Sequence, residues 1–279
     1  DSILVLGATA PAESRQAALT DCDLTVFDHR GIDALVRATN ATQRTTGVHL
    51  KIETGMNRLG ARVEDAAELA QKIVEAKWLK LEGTFTHLGQ AHLEDKSDAN
   101  AQLDRFDRAL ATIRGAGISP GLVHAANSAA TLTIPRSHYD AVRCGIALLG
   151  LEPAETASLA PDFKPALAMK ARIAQVKQLP PNSYVGYGRS GFTPENTRIA
   201  VVTAGYGDGI RRGPQNAGGV MVREELAPIL GDICMDMFMI DVSAIPAARS
   251  GDEVILLGGN PKSPVSVANI AKHTGTIAY

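Results

Sequence analysis

The apolar positions in the first half of the chain follow two alternating periods. The segments 66–74 and 103–113 carry apolar residues at helical spacing, and strand-like stretches lie around 3–6, 48–53, 81–86, 122–124 and 141–146. Strands that alternate with helices run parallel, because only a crossover connection can join them. This half of the chain therefore predicts an α/β fold of the (β/α) barrel type.

The period changes to two near residue 166. Apolar residues alternate from Leu167 to Ile173, and further strand candidates lie at 199–203, 220–222, 238–242 and 253–257. A short helix is expected near 267–272. The Pro-containing stretch 152–165 indicates a linker. We therefore predict two domains: residues 1–165, a barrel with its linker, and residues 166–279, a mainly β domain.

Polar side chains stand where the strands of the first half end. The stretch 48–53 has apolar residues on one face and His49, Lys51 and Glu53 on the other, which fits either an edge strand facing water or a strand lining a functional lumen. Close to the ends of successive strands stand Arg58, His87, Ser128 and Arg143. Because a (β/α) barrel builds its active site at the C-terminal ends of its strands, these four are candidate site residues.

Two glycine- and methionine-containing turns mark the second half. The sequence GYGDG at 205–209 places Tyr206 between glycines that permit a sharp reversal, and Met235 and Asp236 lie in a later turn. Taken alone, the first turn fits an ordinary β-turn with a surface tyrosine. Asp236 likewise fits a residue that only shapes its turn. Their occurrence together with the polar strand ends makes both turns candidates for function.

Composition excludes several other classes of function. The 279 residues carry a formal net charge of −2, so there is no electrostatic case for nucleic acid or an anionic membrane as partner, and only 4% are aromatic. Cys22, Cys144 and Cys234 lie far apart, outside disulfide or zinc-site spacings, so we expect no metal and the reduced thiols of a cytoplasmic protein. No apolar run reaches the roughly 20 residues that span a bilayer.

Six stretches spread over nearly the whole chain carry a family resemblance. They are HLKIETGMNRLG at 49–60, FTH at 85–87, HAANSAA at 124–130, RCGI at 143–146, GYGDG at 205–209 and CMD at 234–236. In this order they resemble the pyridoxal-phosphate-dependent alanine racemases. The resemblance implies a (β/α)8-type TIM barrel followed by a C-terminal mainly β domain. It also implies a homodimer with shared active sites that converts L-alanine to D-alanine for cell-wall precursors.

The resemblance assigns residues to the cofactor, pyridoxal 5'-phosphate. The implied set is Arg58, Asn127, Ser128, Arg143, Gly145 and Ile146. Ser128, Gly145 and Ile146 would bind the phosphate, and from the residues alone Ser128 also fits an N-cap for the helix that follows it. Arg143 would face the pyridine nitrogen. A carboxylate at this place would keep the nitrogen protonated, but a guanidinium cannot accept a proton, so the nitrogen would stay neutral.

The resemblance also implies the catalytic and substrate-binding residues. Tyr206 would be the base that handles the α-proton on the L-amino-acid side. A phenol is a poor base for this purpose unless its neighbours lower its pKa. The implied help is a relay of Tyr206, His87 and Arg143. From the residues alone, His87 also fits a core imidazole and Arg143 a barrel-end ion pair. Substrate contacts are expected from Arg58, Met235 and Asp236.

Lys51 occupies the family position that is often carbamylated. Unmodified, its cation beside Arg58 would need Glu53 or a small anion to balance it. A carbamate would supply that negative charge itself.

The sequence departs from the family pattern in three places. The family's cofactor lysine has no counterpart before Lys51, and the last residues stop before the family's phosphate-binding tyrosine, so we expect the first two barrel strands and the extreme C-terminus to be absent from this sequence. The run 88–92 also differs from the family, which bears on substrate preference. The alternatives are therefore a broader racemase of serine, lysine or arginine, or a non-catalytic binding remnant.

Overall fold

A parallel sheet forms the centre of the first half of the chain. The computed structural model describes residues 2–153, 163–212, 218–260 and 262–279. Within these ranges, six strands lie side by side in sequence order and every neighbouring pair is parallel. They are β1 (Ile3–Ala8), β2 (Cys22–Val26), β3 (Thr46–Lys51), β4 (Leu79–Phe85), β5 (Leu122–Asn127) and β6 (Ala141–Arg143). This order, with a crossover between successive strands, confirms the predicted α/β architecture.

Helices connect these strands and cover the sheet. They are α1 (Ser14–Ala17), α2 (His29–Thr42), α3 (Ala66–Glu75), α4 (Ser97–Gly115) and α5 (Ser128–Thr133). The side chain of Asp28 starts α2 by accepting the N–H of Gly31 at 2.7 Å. The predicted apolar face of α4 is fully buried, and it consists of Leu103, Phe106, Leu110 and Ile113. Each such side chain stabilises the fold by about 1.5–3 kcal/mol through burial.

The sequence does not decide whether the polar face of β3 meets water at a sheet edge or lines an interior lumen. The strand pairs with β2 on one side and β4 on the other, so the edge-strand interpretation is wrong. Its polar face is buried as well: His49 and Lys51 are each only 4% exposed. Gly83 of β4 makes room for this face, because a Cβ there would lie 2.4 Å from His49 Nδ1. The polar side chains of β3 therefore belong to the interior.

The second half is a closed antiparallel barrel with a small hairpin. Its barrel order is β10–β13–β12–β11–β14–β7, in which β7 is Ala168–Leu179, β10 is Thr197–Val202, β11 is Gly219–Val222, β12 is Glu225–Leu230, β13 is Phe238–Asp241 and β14 is Glu253–Gly258. The long β7 closes the barrel by pairing with both β14 and β10. The strands β8 (Ser183–Val185) and β9 (Gly191–Thr193) form the hairpin, and α6 (Val267–His273) follows β14. These findings confirm the mainly β second domain and its short helix.

The connection between the halves lies partly outside the described residues. Of the described residues, the first compact unit contains those up to Ala147 and residues 152–153, and the second contains Leu148–Leu151 together with the chain from residue 163 onward. Within the second unit, the N–H of Ala166 donates to the carbonyl of Leu149 at 2.9 Å, which ties this short segment to the start of the β domain. The linker predicted at 152–165 falls mostly on residues 154–162, which are not among those described.

Candidate active site

Arg143 is the last residue of β6, and its side chain forms hydrogen bonds near the C-terminal ends of the neighbouring strands β4 and β5. Its Nη2 donates to the carbonyl oxygens of Thr86 (2.7 Å) and Ala125 (3.0 Å). It also lies 3.2 Å from His87 Nδ1, and Nη1 lies 2.8 Å from His124 Nδ1. Burial lowers the pKa of Arg143 to about 10, so the guanidinium still carries its charge at neutral pH. A cation is thus fixed at the C-terminal edge of the sheet.

Two buried histidines extend this arrangement along the interior face of the sheet. A guanidinium only donates, so His124 Nδ1 must accept from Arg143, and the His124 proton sits on Nε2. That Nε2 lies 2.9 Å from His49 Nδ1, which therefore accepts in turn. The His49 proton then points from Nε2 towards Asp23, whose Oδ2 is 3.8 Å away. The network assigns one tautomer to each ring.

The pKa values of these rings keep them neutral. Burial and, to a smaller extent, the charge of Arg143 lower the pKa of His124 to about 3. Burial also lowers the pKa of His49, against the opposing attraction of Asp23 and Glu82. Neutral rings can accept hydrogen bonds from Arg143 and from each other, so the chain from Arg143 to His49 persists across the neutral range.

His87 directly follows β4 and contacts the same guanidinium. Its Nδ1 accepts from Arg143, which leaves the ring proton on Nε2. Burial and, to a smaller extent, the nearby cations Arg143, Arg58 and Lys51 together lower the pKa of His87 to about 4. Among the described residues, Nε2 has no hydrogen-bond partner, so this N–H is available to a group brought to it. The structure thus joins His87 and Arg143, two of the three residues of the predicted relay.

The predicted phosphate-binding residues meet between β5 and the segment after β6. Ser128 Oγ accepts the backbone N–H of Gly145 at 2.9 Å and of Ala147 at 3.4 Å. A Cβ built on Gly145 would meet nothing within 4 Å, so open space adjoins this backbone. Ile146 is buried and begins a short 3-10 helix. A hydroxyl and two backbone N–H groups therefore lie together beside this open space, a combination typical of anion-binding sites.

The expectation that Ser128 caps α5 is wrong. The N-cap is Asn127, whose side-chain oxygen accepts the N–H of Ala130 at 3.0 Å. Its amide nitrogen donates to the carbonyl of Leu88 at 3.1 Å. Asn127 therefore ties the start of α5 to the segment after His87, and it leaves the Ser128 hydroxyl free of the capping task.

Lys51 and Arg58 form a second cationic group on the same side of the sheet. The Lys51 Nζ lies 5.6 Å from the centre of the Phe85 ring, and within the described ranges it forms no ion pair with a carboxylate. Burial lowers the pKa of Lys51, and the charges of Arg58 and Arg143 lower it further. The expected counter-charge, Glu53, instead accepts backbone N–H groups of the loop that follows β3.

In the second unit, the two glycine- and methionine-containing turns pack against each other. The N–H of Tyr206 donates to the carbonyl of Cys234 at 3.0 Å, and that of Gly207 donates to Met235 at 2.8 Å. A Cβ on Gly205 would lie 2.4 Å from the Cys234 and Met235 carbonyl oxygens, so only glycine allows this approach. Tyr206 is 45% and Met235 64% exposed. Both side chains are thus presented outward from one rigid pair of turns.

Asp236 and Asp208 have different roles in these turns. The carboxylate of Asp208 accepts the N–H of Gly205 at 2.9 Å and so closes the Tyr206 turn. The side chain of Asp236 is exposed and has no hydrogen bond to any residue that the structure describes. Asp236 therefore does not shape its turn through its side chain.

Sequence reasoning missed the partners that hold Arg143. His49 stood out as a polar residue of an alternating strand, and His124 stood out as part of a motif. Because 75 residues separate them, no local sequence pattern predicts their contact. Thr86 holds Arg143 through its backbone carbonyl, which no sequence pattern reveals.

Two further kinds of feature are absent from the described residues. In that part of the chain no helix combines the length and apolar character needed to cross a membrane. The same residues contain no cluster of His, Cys, Asp and Glu that would hold a metal ion.

The comparisons with known proteins agree with one another. The families "Alanine racemase, N-terminal domain" and "Alanine racemase, C-terminal domain" match residues 1–153 and 166–279. The alanine racemase of Desulfovibrio desulfuricans is 40% identical over 277 residues, which covers 99% of this chain and 74% of that protein. That of Desulfosudis oleivorans is 40% identical over 287 residues, with the same coverage.

Solved structures give the same answer. Alanine racemase of Clostridium difficile 630 superposes with a TM-score of 0.93 at 30% identity, covering 100% of this chain and 72% of that chain. Alanine racemase of Bacillus anthracis with bound L-Ala-P superposes with a TM-score of 0.91 at 32% identity, with the same coverage. The likeness holds over both units, and the chain belongs to the alanine racemase family.

Proposed function

We propose that this protein interconverts L- and D-alanine with pyridoxal 5'-phosphate as cofactor. The observation that carries the proposal is the Arg143 guanidinium held between His87 and His124, in a chain that belongs to a family of alanine racemases. The D-alanine formed would serve cell-wall precursors. A location in the cytoplasm, expected from the sequence, stays a prediction.

The residues expected to contact the phosphate and the ring of the cofactor fit it. Ser128, Gly145 and Ile146 would hold its phosphate, because a hydroxyl and backbone N–H groups border open space at Gly145. Arg143 would face the pyridine nitrogen and, as a cation that only donates, would leave this nitrogen without an added proton. When bound, pyridoxal phosphate supplies an electron sink that acidifies the α-proton of an amino acid.

The chain's own side chains would then orient the amino acid and move its proton. Arg58 would bind the substrate carboxylate and the phenolic oxygen of the cofactor, for which a guanidinium is well shaped. Met235 and Asp236 would contact the substrate. Tyr206 would take the α-proton on the L side, and the Nε2–H of a neutral His87 would stabilise the phenolate by donating to it.

The shared active site implied by the family requires a homodimer. Tyr206 and Met235 would serve the barrel of the partner subunit, and each barrel would receive the same residues in return. Their outward exposure in the second unit supports this arrangement.

Lys51 is proposed to be carbamylated. Its neutral amine would add to CO2, forming an N–C bond and releasing one proton to water, and burial favours this neutral form. The resulting anion would balance Arg58 and Arg143. Intact-mass measurement at high bicarbonate, against the Lys51→Met variant, should show one added CO2 in the parent alone. A bound small anion in place of the carbamate would leave the two mass spectra without that difference.

The activity is tested by incubating the full-length protein and pyridoxal phosphate with L-alanine, and separately with D-alanine, followed by chiral chromatography. Both reactions should reach an equal mixture of enantiomers. Arg143→Ala should lower the rate by about 100-fold or more. Arg136→Ala is the matched control, because this arginine binds Asp104 and Asp107 on the surface. Faster turnover of serine, lysine or arginine than of alanine would favour the broader racemase.

A further inference from the structure

The loop after β3 is closed at its base by backbone hydrogen bonds. The N–H of Glu53 donates to the carbonyl of Ala61 at 2.8 Å, and the N–H of Ala61 donates to the carbonyl of Lys51 at 2.8 Å. Gly60 lies against this junction, where a Cβ would be 2.5 Å from the Glu53 nitrogen. The chain therefore returns to the end of β3 after only a few residues, and Arg58 is carried within this closed loop.

The carboxylate of Glu53 occupies the inside of the loop. Its Oε1 accepts the N–H of Gly55 at 2.6 Å, and its Oε2 accepts the N–H of Arg58 at 3.2 Å. Burial raises the pKa of Glu53, but the N–H groups of Asn57, Gly55, Arg58 and Met56 outweigh burial and hold the pKa below its usual value. One side chain thus organises the backbone on both sides of the turn.

The loop is also attached to its surroundings. Arg105 of α4 donates to the carbonyl of Thr54 at 2.7 Å, and the hydroxyl of Thr54 is hydrogen-bonded to that of Thr86 at 2.7 Å. Thr86 is the residue whose carbonyl accepts from Arg143. The Arg58 side chain, by contrast, is exposed and has no hydrogen bond or ion pair within the described ranges. Its location therefore depends on its backbone.

We propose that Glu53 is a positioning residue that holds Arg58 where its guanidinium can receive a carboxylate. The inference rests on the substrate-binding role proposed above for Arg58. A carboxylate suits this task because it accepts several N–H groups at once through charge-assisted hydrogen bonds. A glutamine would keep one acceptor but turn an amide N–H2 group towards N–H donors of the loop.

The first test measures the order of the loop without using activity. Trypsin cleaves after arginine, and both Arg58 and Arg62 are exposed near the loop. In the native full-length protein, Glu53→Gln should speed cleavage after Arg58 by about tenfold, because a charge-assisted hydrogen bond is lost. The rate of cleavage after Arg62 should not change. The rate of cleavage after Arg58 in Glu53→Asp should lie between those of the parent and of Glu53→Gln.

The exposed Glu64 provides the matched control, since Glu64→Gln makes the same chemical change beside the loop. This variant should be cleaved like the parent at both sites. Unchanged cleavage after Arg58 in Glu53→Gln would overturn the proposal. Faster cleavage at both arginines would also overturn it, since Glu53 would then stabilise the region in general.

The second test connects the loop to the substrate through a double-mutant cycle in the holoenzyme. Glu53→Gln should raise the KM for alanine by about tenfold with a smaller change in kcat, as expected for lost carboxylate binding. In an Arg58→Ala background the same substitution should change KM no further. An equal rise in both backgrounds would show that Glu53 acts independently of Arg58 and would sink the inference.

The two tests separate the inference from the function on which it rests. If Arg58→Ala leaves the KM for alanine unchanged, the proposed role of Arg58 fails, whatever trypsin reports about the loop. If Arg58→Ala raises KM but Glu53→Gln alters neither KM nor cleavage, only the positioning role of Glu53 fails.

Discussion

At the residue scale, the charge of Arg143 is held in place by acceptors that carry no charge. The carbonyls of Thr86 and Ala125 and the rings of His87 and His124 all accept from its guanidinium. This arrangement orients the two terminal nitrogens of the guanidinium without a carboxylate that would form an ion pair with it. The positive charge of Arg143 therefore remains available to interact with a ligand that faces it.

The neutral histidines give the protein an acid-sensitive stability. Histidine titrates near 6.5 in an unfolded chain, whereas folding lowers the pKa of His87 to about 4 and that of His124 to about 3. As pH falls below about 6.5, the unfolded chain therefore binds protons that the folded chain does not. The stability that these rings contribute is complete above this pH and is lost as pH falls towards 4.

The measurement is urea unfolding of parent and His124→Asn between pH 4 and 7. Asparagine keeps an acceptor near the position of Nδ1 but does not titrate. Its unfolding free energy should fall less steeply with acid, by up to about 1.4 kcal/mol per pH unit. Equal slopes for the two proteins would show that His124 does not resist protonation in the fold.

At the element scale, the paired turns of the second unit depend on the absence of a side chain at Gly205. Two N–H···O bonds join the Tyr206 turn to the Met235 turn, and the backbone of one lies directly on the other. Asp208 fixes the first turn from inside, much as Glu53 fixes its loop. In both places a carboxylate accepts backbone N–H groups and thereby orients a neighbouring residue of the candidate site.

Gly205→Ala should force the two turns apart. Because its Cβ would meet backbone oxygens that cannot rotate away, we expect a loss of about 1–3 kcal/mol in the unfolding free energy. Racemase activity should fall as well, since Tyr206 would move. Gly115→Ala is the control: its Cβ would meet nothing within 4 Å, and it should cost no stability. Comparable stability of the two variants would mean that the turns separate without strain.

At the scale of the whole molecule, candidate residues are divided between two separately packed units. Arg58, His87 and Arg143 belong to the parallel sheet, and Tyr206 and Met235 belong to the antiparallel barrel. Each unit has its own apolar core. The proposed enzyme therefore needs both units, and the proposed homodimer supplies them from different subunits.

Complementation tests this division. Tyr206→Phe and Arg143→Ala should each be nearly inactive alone. In a heterodimer of the two, one site would combine the intact barrel of the first chain with the intact tyrosine of the second. An equal mixture, unfolded and refolded together, should recover about a quarter of the parent activity. Heterodimers that form but stay inactive would place Tyr206 in the site of its own subunit.

Local pattern alone determined much of this fold. The strand β3, the apolar stripe of α4 and the change to a two-residue period in the second half all follow from the spacing of apolar side chains within each segment, so they could be predicted before any tertiary contact was known. The spaced motifs likewise predicted a family to which the chain belongs. These features are properties of short segments, and short segments carry their own periodicity.

Only the tertiary structure decided which residues contact one another. The alternation of β3 fits an edge strand as well as an interior strand. The structure decides between them, because β3 pairs with β2 on one side and β4 on the other. Asn127 rather than Ser128 caps α5, because the Ser128 hydroxyl accepts N–H groups contributed by Gly145 and Ala147, well beyond the helix. The Glu53 carboxylate accepts N–H groups of its own loop and forms no ion pair with Lys51 within the described residues. The neighbours of β3 and the partners of Ser128 depend on groups far apart in the chain, and no periodicity encodes them.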